Sequence, residues 1–192
     1  MSLNANPVAL KEWASAIQAL TEGWQIMLMR KGGIAEETKR FELKSHSFYL
    51  YPTLEHQRPK LLKEQYRNLV AQTLEGVDPN APEIGLAAYA EAVQDLEIRD
   101  LEQLELLYPY HIWSEGLAAE RLRWKAKEPL HVLLLRVYVP EAPVLVSVLP
   151  EYSGCRSWIE LTPPPPAGNW RPVLDEETFG RKKAEILTAL GI

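Results

Sequence analysis

The run LHVLLLRVYV, residues 130–139, bounded by Pro129 and Pro140, is the feature that most narrows the fold. A strand that faces water on one side alternates polar and apolar residues, whereas this one is apolar at nearly every position. It must therefore lie centrally in a sheet, covered on both faces. Its exception, Arg136, matters because a buried guanidinium left unpaired costs several kcal/mol, on the order of 3–5. Arg136 is thus expected either to pair with a glutamate of another element or to form the floor of a cleft that receives phosphate or carboxylate.

The segments around this strand alternate in type. Asn6-Pro7 has the form of a helix start, and Leu10, Trp13, Ile17 and Leu20 follow at helical spacing to a stop at Gly23. Residues 24–30 read as a strand closed by the turn Lys31-Gly32-Gly33. Residues 41–51 look extended, but Phe41 and Leu43 fall on one face while Phe48 and Leu50 fall on the other. That change of face requires the strand to bend, bulge or exchange partners near Ser45-His46-Ser47, with His46 the side chain that a bulge would re-aim. Pro52 is expected to end that strand, and Pro59 to begin a helix reaching Thr73. Residues 83–98 are read as a long, half-exposed strand, 101–107 as a short helix and 114–124 as an arginine-rich helix. Residues 144–149 are expected to pair beside the central strand. Asp175 caps a last helix that ends at Gly191. The expected class is α+β, with a mixed, mainly antiparallel sheet whose buried central strand is flanked by helices. One domain over 1–161 carries a proline-rich loop and C-terminal helix, 162–192, packed on it.

Charge is distributed unevenly. From Glu75 to Glu105 there are nine acidic residues and one arginine, so the remainder of the chain is net positive although the total is −5. Such asymmetry can steer an anionic partner, and it is equally what solvated surface looks like. The single cysteine, Cys155, excludes an internal disulfide framework, and no apolar run is long enough to span a bilayer. With no signal peptide in the first residues, a cytoplasmic protein without membrane contact is expected.

Several constellations could carry chemistry. Arg30-Lys31-Gly32-Gly33 follows a strand, and its glycines would let backbone amides converge on an anion that the two cations neutralise, although it matches no P-loop or dinucleotide fingerprint. Thr53, His56 and Gln57 occupy the connection between a strand end and a helix start. Glu42-x-Lys44 contains the carboxylate-x-lysine element of restriction-type nucleases, but no aspartate precedes Asp78 to complete it. Arg121, Arg123 and Trp124 interleave cations with an aromatic, as in surfaces that hold a nucleic-acid backbone and stack a base. The four histidines form no metal-binding spacing, and no metal or cofactor is expected. His131, within the apolar strand, is expected to be a core histidine with one nitrogen satisfied.

Taken together, RKGGI (30–34), FYLYPTLEHQ (48–57), YPYHIW (108–113), RLRWKAKEPLHVLLLRVY (121–138) and GCRSWIEL (154–161) resemble a bacterial, largely cyanobacterial family known as domain of unknown function 1802. The resemblance covers residues 8–161 and implies a link to restriction–modification through a type I restriction subunit domain. It transfers no catalytic residues. The leading expectation is a nucleic-acid- or nucleotide-binding accessory domain. Its cleft would gather Arg30, Lys31, Gly32, Gly33, His46, Thr53, His56, Gln57 and Arg136 around a phosphate-bearing ligand, with Arg121, Arg123 and Trp124 as further contacts. The alternatives are a small hydrolase or nuclease-like enzyme using Glu42 with Lys44, or His56, and a protein-interaction module docking through the acidic residues 75–105.

Overall fold

The computed structural model describes residues 7–31, 41–78, 80–154 and 156–192. The apolar run 130–139 forms β6 (Leu130–Pro140), and Leu130, Val132, Leu133, Leu134, Leu135 and Val137 are all buried. Burial at consecutive positions means that both faces are covered, as the unbroken apolar run requires. β6 pairs antiparallel along most of its length with β5 (Ala88–Ile98) on one side. On the other side β2 (Met27–Arg30) and β9 (Trp170–Pro172) share it end to end.

From β5 the sheet continues through β3 (Ser47–Thr53), β1 (Val8–Trp13) and β8 (Trp158–Glu160). The β1–β3 pair is parallel and the other ladders are antiparallel, so the sheet is mixed and mostly antiparallel. The fold is α+β, with α1 (Ala14–Thr21), α2 (Asn68–Leu74), α3 (Leu101–Leu106), α4 (Glu115–Arg123) and α5 (Glu176–Ala189).

Period-two alternation sorts the middle strands between two cores. Leu10, Phe48, Leu50, Ala88 and Ala90 join the larger core with residues of all five helices, whereas Ala9, Tyr49, Tyr51 and Tyr89 face a smaller one. The smaller core is covered by a separate two-stranded sheet, β4 (Glu83–Leu86) against β7 (Val144–Ser147), through Leu86, Val144 and Val146.

Several local expectations differ from this arrangement. The helix expected from Pro59 to Thr73 is broken into short helical turns at Pro59–Leu61 and Glu64–Tyr66 before α2 begins at Asn68, and residues 83–98 form two strands in two sheets rather than one. Val8–Trp13 is a strand rather than the start of a helix, and α1 follows it with no intervening loop. Leu10 and Trp13 keep the helical spacing, but pairing with both β3 and β8 overrides local propensity. Near Ser45 the chain bends, at His46, and the bulge lies across the ladder in β5, between Ala92 and Gln94. β3 begins only at Ser47 and is buried on both faces, so no change of face is needed. Pro52 remains inside β3, opposite Glu12, because β5 leaves at Leu50 and the strand there has a partner on one side only. Residues 144–147 pair with β4 and not with β6.

Two details fix the ends of α1 and α5. Gly23 has φ +68°, a left-handed conformation that favours glycine, and a Cβ there would meet the end of the Leu174 side chain at 2.7 Å. At α5, the Asp175 carboxylate accepts from the Thr178 amide at 2.7 Å, while Phe179 and Ile186 enter the larger core.

Candidate functional site

Because β1 and β3 run parallel, their C-terminal ends emerge together at one end of the sheet. The sheet also curls, so that Arg30 at the end of β2 reaches β1, four steps along the strand order. An Arg30 terminal nitrogen donates to the Lys11 carbonyl at 3.3 Å and to Glu12 Oε2 at 3.0 Å. The result is a cleft of about 240 Å³ lined from five places in the chain. Lys11, Glu12 and Trp13 come from β1, Arg30 from β2, and Thr53, Glu55 and His56 from the end of β3 and its exit. Arg121 comes from α4, and Gly154, Arg156 and Ser157 from the approach to β8.

Glu12 is the pivot. It is 3% exposed, accepts from Arg30 on one oxygen and from the Trp13 amide on the other at 2.8 Å. A second guanidinium, Arg121, donates to the Met29 carbonyl at 2.9 Å and lies between the rings of Trp13 and Trp113, 5.3 and 5.4 Å from their centroids. Burial pushes the Arg121 guanidinium below its ordinary range; the Glu12 carboxylate opposes this and Arg30 adds to it. Two guanidiniums therefore flank one buried carboxylate, and Lys11 and Arg156 add further positive charge. With only Glu12 and Glu55 opposing, four cations face two carboxylates, and the cleft favours an anion.

The sequence candidates divide between this cleft and other places. Arg30, Thr53, His56 and Arg121 line it together. His56 is well exposed and held at φ +66°, with Nε2 4.0 Å from Glu55 Oε2. Lys31, next to Arg30 in sequence, is buried and donates to the Leu122 carbonyl at 2.6 Å, and burial lowers its pKa. Gln57 is buried and braces the backbone, accepting from the Ser15 amide at 3.3 Å and donating to Thr73 Oγ1 at 3.1 Å.

His46 is exposed, and its carbonyl accepts from the Ala92 amide at the β5 bulge. Arg123 and Trp124 are exposed at the end of α4. Glu42 and Lys44 are exposed on the irregular segment 41–45 and do not line the cleft. Arg136 lies elsewhere, stacked on Phe179 at 4.8 Å, pairing with Glu176 at 3.3 Å and donating to the Asp175 carbonyl. His131 Nδ1 sits 3.0 Å from Asp95. Gly32 and Gly33, like Cys155, lie outside the described residues.

Sequence reasoning missed Glu12, Lys11 and Arg156. Nothing local marks Glu12 as buried, since its partner Arg30 comes from a strand distant in the sheet order.

An α+β protein with a curled mixed sheet and a cationic cleft at one sheet end is the class that these observations define. Residues 9–185 match the family described as a domain of unknown function, DUF1802, and the chain belongs to that family. The match includes most of α5, beyond the 8–161 on which the resemblance was read. Among solved structures, the chain is similar to ASCH from Zymomonas mobilis, at 11% identity over 94% of this chain and 95% of that one, with a TM-score of 0.46. A serine-to-alanine variant of the same protein is 12% identical over 95% and 98%, with a TM-score of 0.43. No curated protein matches the sequence. No helix among the described residues is long and apolar enough to cross a membrane.

Proposed function

We propose that the cleft binds a phosphate-bearing ligand and that the chain acts as a nucleic-acid- or nucleotide-binding accessory domain. The observation that carries this reading is the pair of guanidiniums, Arg30 and Arg121, held around buried Glu12 beside Lys11 and Arg156. An arginine whose geometry is already fixed by protein contacts loses little freedom on meeting an oxyanion, so its hydrogen bonds contribute more net affinity. Arg30 Nε is buried and has no hydrogen-bond partner among the described residues. Thr53 and Ser157 add neutral hydrogen-bonding groups, and the cleft's volume suits one phosphate with part of its ester rather than a larger ligand. The restriction–modification link implied by the family resemblance supplies a setting in which such a domain would act.

Fluorescence anisotropy of a labelled single-stranded oligonucleotide, titrated across a range of salt, tests this. Arg156→Ala removes an exposed cation from the cleft, so affinity should fall and the slope of log K against log salt should shrink by about one. Arg99→Ala, which removes an exposed cation outside the cleft, should leave the slope within error. Equal losses from both variants would show general surface attraction and no site.

One observation favours a second reading, the small hydrolase. His56 stands in the cleft beside the cations, where an imidazole could exchange a proton with a phosphoester. Hydrolysis of a phosphodiester that disappears in His56→Asn while binding persists would establish it.

A further inference from the structure

The described residues hold a second pocket, of about 430 Å³, between α3 and α4. Leu101 and Leu104 wall one side, Ala118 and Ala119 the other, and Glu105 and Glu115 stand among its lining residues. His111 also lines it. It is 3% exposed, and neither ring nitrogen has a partner in good hydrogen-bond geometry among the described residues, the Trp113 backbone being the polar group near the ring. A buried imidazole is normally satisfied, and leaving its donor and acceptor unpaired costs roughly 1–3 kcal/mol each. Tyr108, 39% exposed, stands edge-on to the imidazole with centroids 5.7 Å apart.

We propose that this pocket is a second binding site, for an uncharged heteroaromatic ring bearing an amino group, the chemistry of adenine or cytosine, with His111 as its hydrogen-bonding floor. Tyr108, packed edge-on against the imidazole, is the side chain that must move to admit the ligand. Three observations select this chemistry. The volume lies in the range of small-ligand sites, and its leucine and alanine walls suit a flat apolar ring. Glu105 and Glu115 repel an anion and accept from an exocyclic amine.

The floor, by contrast, is influenced by Lys63, which donates to the His111 carbonyl at 2.5 Å, and by Arg121, so it disfavours a full positive charge. A neutral ring with an amine at one edge and a ring nitrogen at the other meets both demands. The imidazole itself is neutral at physiological pH, because burial, Lys63 and Arg121 lower its pKa to about 3, and it therefore offers one donor and one acceptor. A phosphate-free base has no charge with which to use the cationic cleft, so the two sites can be tested separately.

The test is titration of the full chain with free adenine, followed through the ring-nitrogen resonances of ¹⁵N-labelled histidine. Saturable movement of the His111 signals below about 1 mM adenine is expected, a weak but specific affinity. His111→Phe should weaken binding about tenfold, the equivalent of about 1.4 kcal/mol. Ala119→Phe, which fills the pocket without touching the imidazole, should abolish it. Purine, which lacks the amine, should bind more weakly than adenine, and Arg156→Ala should change nothing. Unmoved His111 resonances at about 5 mM adenine would overturn the proposal, an observation on the unaltered protein that no folding defect can confuse. So would movement that survives Ala119→Phe.

Discussion

Glu12 is a carboxylate whose loss should be felt in stability before function. Its oxygens receive Arg30 and the Trp13 amide in a largely buried site, so Glu12→Gln leaves Arg30 without its ion-pair partner and takes away the stronger of the two carboxylate charges, Glu12 and Glu120, that act on Arg121. Breaking such a pair from one side costs about 3–5 kcal/mol, most of it the penalty of the orphaned charge. Urea denaturation should show that loss, and Glu12→Gln unfolding at the same midpoint as the unaltered chain would contradict the pairing. His111 gives a second residue-level expectation, with a definite sign. Its folded pKa, about 3, lies below the ordinary 6.5, so in acid the unfolded chain takes up a proton that the folded chain refuses. The stability of the neutral imidazole's burial is complete above about pH 6.5 and is lost as pH falls toward 3, at up to about 1.4 kcal/mol per unit. Denaturation midpoints measured between pH 7 and 4 should fall less steeply for His111→Phe than for the unaltered protein.

At the scale of elements, α5 is held to the sheet by few contacts of unequal weight. Phe179 is buried beneath the Arg136 guanidinium, whereas Glu176, which pairs with the same guanidinium, is 89% exposed on its side chain. Phe179→Ala should therefore cost about 3 kcal/mol, and Glu176→Ala less than about 1, because water competes for an exposed carboxylate. Hydrogen exchange along α5 would report the difference, with faster exchange in the first variant alone. The elements that the sequence made legible are those whose burial is self-consistent along the chain. β6 announced itself by an unbroken apolar run and α5 by a capping aspartate and a terminal glycine, whereas residues 83–98 were legible as extended chain but not as two strands, β4 and β5, that part into different sheets. β1 was not legible, since Leu10, Trp13, Ile17 and Leu20 satisfy a helix equally well and only pairing with β3 and β8 decides otherwise. The cleft was half legible for the same reason. Arg30, Thr53 and His56 lie next to strand ends, where binding groups are expected, and they do line one cleft. Arg136 looked similar in sequence yet faces α5, because which helix covers a central strand is a property of the chain's return path and leaves no mark on the strand itself.

At the scale of the whole molecule, the acidic stretch 75–105 is built largely into β4, β5 and α3, and some of its charges are already engaged. Glu91 accepts from the Tyr138 hydroxyl at 2.9 Å, and Asp95 meets His131. Others, including Glu75, Glu83 and Glu102, are exposed. Their field opposes the attraction of the cationic cleft for an anion, over distances that salt can screen. The triple variant Glu75→Gln, Glu83→Gln and Glu102→Gln removes three negative charges from a chain of net −5 without touching a residue that lines the cleft. If the cleft receives phosphate, the association rate of an oligonucleotide should rise a few-fold near 20 mM salt, where the Debye length is about 20 Å. The gain should vanish near 300 mM, where the Debye length is about 6 Å, while the dissociation rate stays constant throughout because no direct contact has changed. Stopped-flow fluorescence separates the two rates. A gain that persists at high salt, or one that appears in the dissociation rate, would mean that these acids touch the ligand directly and that the oligonucleotide binds on their face of the protein.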